Sequence, residues 1–194
     1  LDKKIVDILP SRRKYDLLNY FMLIPQEERN KVKYVSFDMW ETYRIITKHV
    51  FPSAICITDH FHVIQELNRR VDRVRIRVQN RFRKTINTLK PKENNKTITP
   101  EEIVELEEAS RYYYVLKKFN WLLFSTNKKI LDVNVDRKFN RMLNRYLNYS
   151  EILDFMLAID DELEDAFYLR NDVTYFYDHC TYDTAKKQQV VLAS

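Results

Sequence analysis

Two carboxylates stand where an expected β-strand hands over to a helix, a position where open α/β folds gather ligands and chemistry. The first is Asp38, which directly follows the alternating run Val-Lys-Tyr-Val-Ser-Phe at 32–37. A carboxylate there suits a divalent ion in nucleotidyl transfer, where two ions clamp the attacking and leaving oxygens. Asp is also a favoured N-cap, and a helix should begin near Trp40, so spacing alone leaves both roles open. The second is Asp59, which follows the compact run Ala-Ile-Cys-Ile-Thr at 54–58, with His62 three residues on. One imidazole could hydrogen-bond that carboxylate, or both could ligate a metal. The pattern by itself favours a capping Asp beside a packed His.

The next feature is a dense run of cations. Between His62 and Lys90 lie Arg69, Arg70, Arg73, Arg75, Arg77, Arg81, Arg83, Lys84 and Lys90, opposed only by Glu66 and Asp72. That segment carries +7 of a chain whose net charge is +5, so the remainder is close to neutral. A rigid basic face is what phosphate binding needs, and about six to ten such contacts make affinity collapse between about 50 and 200 mM salt. The plainer alternative is a solvated face paired with the acidic stretches 101–108 or 151–172. Tyr112, Tyr113, Tyr114, Phe119 and Trp121 could stack on bases, although their helical spacing fits a core better. Cys56 lies inside a strand and reads as an inert apolar residue. No Ser-His-Asp or Cys-His constellation stands out.

These residues need elements to position them. Tyr15, Leu18, Phe21 and Met22 repeat at helical spacing until Pro25. Residues 32–37 read as a strand, 40–50 as a helix with Tyr43, Ile46 and Val50 on one face, and 54–58 as a second, buried strand. Strand–helix–strand demands a right-handed crossover between parallel neighbours. Asp38 and Asp59 then sit side by side at the carboxyl ends. From residue 63, Leu67, Val71, Val74, Val78, Phe82, Ile86 and Leu89 trace one long amphipathic helix that Pro91 should close. Thr99-Pro100-Glu101-Glu102 has the spacing of a capping box. It should start a helix running to about Phe124. Further helices are expected over 135–148, 150–159 and 161–179, which makes everything after residue 62 all-helical. The fold class expected is α/β and predominantly helical, with two parallel strands followed by a large all-α region.

Composition narrows the field. The 194 residues contain no Gly. That excludes a Walker loop, a dinucleotide-binding Gly fingerprint and a nucleophile elbow, each of which needs Gly where backbone approaches a ligand or turns sharply. It also argues against hairpin-rich all-β folds. Two distant cysteines form neither a disulfide framework nor a zinc knuckle, which fits a reducing compartment. No run of 18 apolar residues exists, so no membrane association is expected and the chain is placed in the cytoplasm. The first residue is Leu1, which suggests a piece of something longer.

The motifs then converge. Val35-Ser36-Phe37-Asp38-Met39-Trp40, Tyr43, Phe51-Pro52-Ser53-Ala54 and Asp59-His60-Phe61-His62-Val63 together resemble the ISL-three family of bacterial insertion-sequence transposases. Leu67-Asn68, Asp72-Arg73-Val74-Arg75 and the later Lys117-Lys118-Phe119 with Trp121-Leu122-Leu123 extend the resemblance over nearly the whole chain. It implies a DDE enzyme with an RNase H-like core, in which two Asp and one Glu hold magnesium or manganese. Such an enzyme hydrolyses a DNA strand at the element end and transfers the freed 3′-hydroxyl to target DNA. On that pattern Asp38 is the second catalytic Asp and a metal ligand. Asp59 and His62 form a supportive Asp-x-x-His signature. Residues 1–62 would be a partial core, and 63–194 a helical insertion.

The Ser-Asn-Gly…Glu segment expected near the catalytic Glu is absent, and the first catalytic Asp is expected upstream of Leu1. The tail Gln188–Ser194 also departs from the pattern. The resemblance therefore implies an internal fragment bearing one of three metal carboxylates, inactive alone and binding no metal stably. DNA is the implied partner, as transposon end and target. Arg69, Arg70, Arg73, Arg77, Arg81, Arg83 and Lys84 are the expected contacts. Homo-oligomerisation in a transposition complex and association with the bacterial nucleoid are implied as well. The alternative from another class is a non-catalytic helical DNA-binding or interaction module that uses the Arg-rich helix. A purely structural helical domain with surface charge is a third.

Overall fold

The computed structural model describes residues 7–181 and Thr184; the tail Gln188–Ser194 lies outside them. The chain is predominantly helical and forms two compact units, Leu1–Gln65 and Glu66–Ser194.

The first unit holds α1 (Lys14–Met22), α2 (Gln26–Asn30), β1 (Tyr34–Phe37), α3 (Glu41–Val50) and β2 (Ile55–Thr58). The strands are parallel neighbours, with Tyr34 opposite Ile55 and Phe37 opposite Thr58, as the crossover argument requires. Leu17 of α1, Ile46 and Val50 of α3, and Phe51 form a small core, with Val35 and Ala54 packed against it. The expectation of a buried second strand is not met. Ile55 is 60% and Ile57 43% exposed. A two-stranded sheet has one face on this core, and no described element covers the outward side chains of β2. An apolar run reports what a strand can bury, and burial itself needs a second layer.

α4 (His60–Asn94) is longer than expected and does not close at Pro91. At about 1.5 Å per residue, its 35 residues span roughly 52 Å. Pro91 withholds the donor that would serve the carbonyl of Asn87. Asn87 is exposed, so water can replace that bond, and the helix runs on for three residues. It ends in a left-handed turn. Lys96 has φ 54°, Thr97 N–H reaches back to Lys92 O at 2.9 Å, and Lys96 N–H bonds Glu93 O at 3.1 Å. This is the six-to-one, five-to-two pattern in which Gly is usual. In a chain without Gly the strain falls on Lys96. Lys96→Gly is expected to raise stability by about 0.5–1 kcal/mol, read as a higher urea midpoint at unchanged m-value. A lowered midpoint would contradict the strain.

The second unit continues through α5 (Pro100–Lys118), a 3₁₀ turn at Asn120–Phe124, β3 (Lys138–Asn140), β4 (Arg145–Leu147), α6 (Tyr149–Leu157) and α7 (Asp161–His179). Thr99 forms the expected capping box with Glu102. The side-chain bond to Lys92, aided by the Thr99 amide, holds the Glu102 carboxyl below its usual range. The core gathers Val71 and Val78 of α4, Val115 and Leu116 of α5, Leu122 and Leu123, Met156 of α6, and Leu163 of α7, all nearly inaccessible.

The expected helix over 135–148 is corrected to an antiparallel hairpin of β3 and β4. Asn140 Oδ1 accepts the amides of Met142 and Leu143, each at 3.1 Å, and Asn144 takes φ 51°. Asn does here what Gly does elsewhere, because its short side chain bonds nearby backbone and it tolerates the left-handed region. The α5 helix also stops at Lys118 rather than Phe124, where the tighter turn takes over.

Candidate functional site

β1 and β2 end together, since Asp59 N–H bonds Phe37 O at 3.1 Å. Asp38 and Asp59 therefore leave adjacent strands at equivalent positions. Each commits one oxygen to the chain ahead of it. Asp38 Oδ1 accepts Trp40 N–H at 3.0 Å, and Asp59 Oδ1 accepts Phe61 N–H at 3.0 Å. These turns launch α3 and α4 and satisfy amides that the helix cannot. Trp40, not Asp38, is the N-cap of α3, and it makes no side-chain cap. Fixing one oxygen orients the other. The second oxygen of Asp38 has no hydrogen-bonding partner among the described residues.

Asp38 and His62 line one cavity of about 430 Å³, whose apolar wall includes Phe21, Val35, Tyr43 and Ile46. Tyr43 of that wall is also part of an aromatic cluster. Trp40 meets Tyr43 edge to face at 4.8 Å, and the Arg12 guanidinium lies 5.5 Å from the Trp40 ring. His62 Nε2 lies 4.0 Å from Asp59 Oδ2, and His60 Nδ1 lies 3.7 Å from Asp59 Oδ1. Both exceed hydrogen-bond distance. The attraction from either imidazole is thus ionic and requires its protonation. Among the described residues no three His, Cys, Asp or Glu side chains converge where they could hold a metal ion. The residues present do not by themselves fit a divalent cation; Asp38 is a single donor beside a cavity.

The cations of α4 divide into distinct sets. Arg75 is no surface residue. Its guanidinium is buried and donates to Asp72 at 2.7 Å, to Gln79 at 2.5 Å and to the carbonyl of Leu116 at 2.9 Å. Arg69 and Arg70 share Glu66, at 3.6 and 3.2 Å. Arg77 pairs with Glu162, and Arg81 with Asp160, which caps α7. The hydrogen bond to Glu162 raises the pKa of Arg77 further. The plainer alternative of pairing with residues 151–172 thus accounts for two of the expected contacts. Arg73, Arg83 and Lys84 have no ion pair among the described residues. They share a shallow concavity of about 600 Å³ with Asn80 and Asn87. Residues 73, 80, 84 and 87 fall on one stripe at about 100° per residue, opposite the core-facing Val71 and Val78. The asparagines escaped the sequence reasoning, which counted charge alone; a helical wheel would have found them.

The aromatic candidates separate likewise. Tyr112 is half-buried, donates to Glu108 at 2.7 Å and packs against Phe82 at 5.0 Å. Phe119 is buried. Trp121 stays half exposed and meets Tyr149 at 5.2 Å. Among the described residues no helix is long and apolar enough to cross a membrane.

Comparison with known proteins yields one finding. Residues 2–192 match the ISL-three DDE model, whose description is transposase. Neither a curated protein nor a solved structure matches the chain.

Proposed function

The chain belongs to the ISL-three family of DDE transposases, whose substrate is DNA, and we propose that it supplies one metal-binding carboxylate, Asp38, and a phosphate-binding face on α4. The observation that carries the catalytic half is the placement of Asp38. It stands at the carboxyl end of β1 beside a cavity, with one oxygen tied to the Trp40 amide and the other without a hydrogen-bonding partner among the described residues. A divalent ion, magnesium or manganese, would supply Lewis-acid stabilisation of the scissile phosphate. Two ions about 3.5–4 Å apart need bridging carboxylates on more than one side, so the isolated chain does not cleave DNA. Residues 1–62 act as part of an RNase H-like core and 63–194 as a helical insertion, working in the cytoplasm on nucleoid DNA. Asp59 orients the start of α4 through the Phe61 amide, and His62 borders the same cavity as Asp38.

The DNA-contacting half rests on Arg73, Arg83 and Lys84, which share a concavity with Asn80 and Asn87. Arg69, Arg70, Arg77 and Arg81 contribute where phosphate outcompetes Glu66, Asp160 and Glu162. The same face favours the second reading, a non-catalytic DNA-binding module, which needs no metal site at all. A salt titration of duplex binding tests the face common to both. Neutralising Arg73, Arg83 and Lys84 together to Gln should flatten the slope of log affinity against log salt by about 0.9 for each phosphate no longer neutralised. An unchanged slope would remove Arg73, Arg83 and Lys84 from the DNA interface.

A further inference from the structure

We propose that a cleft in the second unit, framed by the β3–β4 hairpin, the end of α5 and the start of α6, takes an unpaired nucleotide of a DNA strand. The cleft encloses about 440 Å³, within the range of small-molecule sites. Its walls combine two kinds of group. Tyr114, Phe119, Phe139 and Tyr149 supply aromatic surface. Lys118, Lys138 and Arg141 supply positive charge, against a single acid, Asp136.

Two of those rings stay in water although the core beside them is complete. Phe139 is 53% and Tyr149 42% exposed. Neither is loose. Phe139 stands opposite Tyr146 in the hairpin, with ring centroids 5.2 Å apart. Tyr149 is held by Trp121 at 5.2 Å and 74°, and borders Phe119 at 6.4 Å. Their orientation is therefore set before any ligand arrives, which lowers the ordering cost of binding. Lys118 Nζ lies 5.2 Å from the Tyr114 ring centroid and 5.8 Å from that of Phe119, a cation held against two rings of the lining. Pre-set rings beside an excess of cations match the chemistry of single-stranded nucleic acid. Bases stack on the rings and phosphates meet the lysines. A paired base has its faces covered by its neighbours in the duplex, so the occupant is an unstacked one. The site uses neither Asp38 nor the stripe on α4, and it stands if either of those assignments falls.

Binding of the full chain to a single strand of about 12 nucleotides, to the corresponding duplex and to dAMP separates the possibilities. The wild-type chain should bind the single strand. Phe139→Leu should weaken that binding about tenfold and Phe139→Trp should retain it, with both variants binding duplex as before and keeping the far-UV circular dichroism of the parent. Lys138→Gln should flatten the single-strand salt slope by about 0.7. The proposal is overturned if the wild-type chain ignores single strands, or if Leu at position 139 serves as well as Phe. It is overturned too if duplex binding falls in parallel, or if dAMP binds as tightly as the strand. Displacement of the strand by an acidic aromatic peptide would reassign the cleft to a protein partner.

Discussion

Asp38→Ala, made at the equivalent position of an ISL-three transposase active in transposition, is expected to lower transposition by about three orders of magnitude or more while leaving binding to the element end unchanged. The direction follows from what Asp38 does in this fold. Its Oδ1 bond to the Trp40 amide helps start α3, a role worth about 1 kcal/mol by analogy with helix caps. Its second oxygen is the part that would face a metal ion. Asp38→Asn separates the two roles, because an amide oxygen can still accept the Trp40 N–H but brings no negative charge to a cation. If Asn restores transposition, the carboxylate is structural and Asp38 leaves the site. Loss in both variants, with end binding intact, places it among the metal ligands. The chain itself forms the control: metal-dependent nicking of element-end DNA by these 194 residues would overturn the proposal that it does not cleave DNA alone.

Arg75→Ala is the second large effect, and it concerns stability rather than DNA. Arg75 sits in the middle of the basic run, yet only 7% of it is exposed. Its guanidinium donates to the carbonyl of Leu116, in the last turn of α5. The final four carbonyls of a helix lack intrahelical donors, and a positive charge there is favoured by the helix dipole. One arginine of α4 thus caps another helix 41 residues away while Asp72 and Gln79 hold its fork. Removing it leaves a buried carbonyl unsatisfied and opens a void beside Leu116. The expected loss is about 3–5 kcal/mol, as for breaking other buried ion pairs, measured by urea denaturation. Arg73→Ala, on the opposite face and without an ion pair among the described residues, should stay within about 0.5 kcal/mol. Equal midpoints for the two variants would sink the distinction. The comparison also guards the DNA assay, since weaker binding by an Arg75 variant would report unfolding.

Local pattern made a large part of this chain legible. The 3.6-residue repeat of apolar side chains marked α1, α3, α4 and α7, and Thr99 with Glu102 marked the start of α5. Strand–helix–strand spacing required the parallel pairing of β1 with β2 and placed Asp38 and Asp59 side by side. Errors arose where a local signal had a remote competitor. Residues 135–148 contain apolar side chains at helical intervals, but Asn140 and Asn144 supply a turn, and Phe139 meets Tyr146 across it. Asn148 caps α6 and also donates to the carbonyls of Val133 and Val135, at 3.0 and 3.4 Å; it drew no notice, because its partners lie in an irregular segment.

The sequence by itself determined most of the helices, the parallel strand pair, the family resemblance and the order of the two acidic strand ends, because each depends on side chains within a few residues of one another or on a pattern of types along the chain. Only the tertiary structure decided what each charge meets. It buried Arg75, paired Arg77 and Arg81 with Glu162 and Asp160, and left Arg73, Arg83 and Lys84 around a shared concavity with no ion pair among the described residues. Ten cations of similar type on one helix look alike in one dimension. Their fates differ because each next residue turns about 100° around the axis and so faces either core, acid or water.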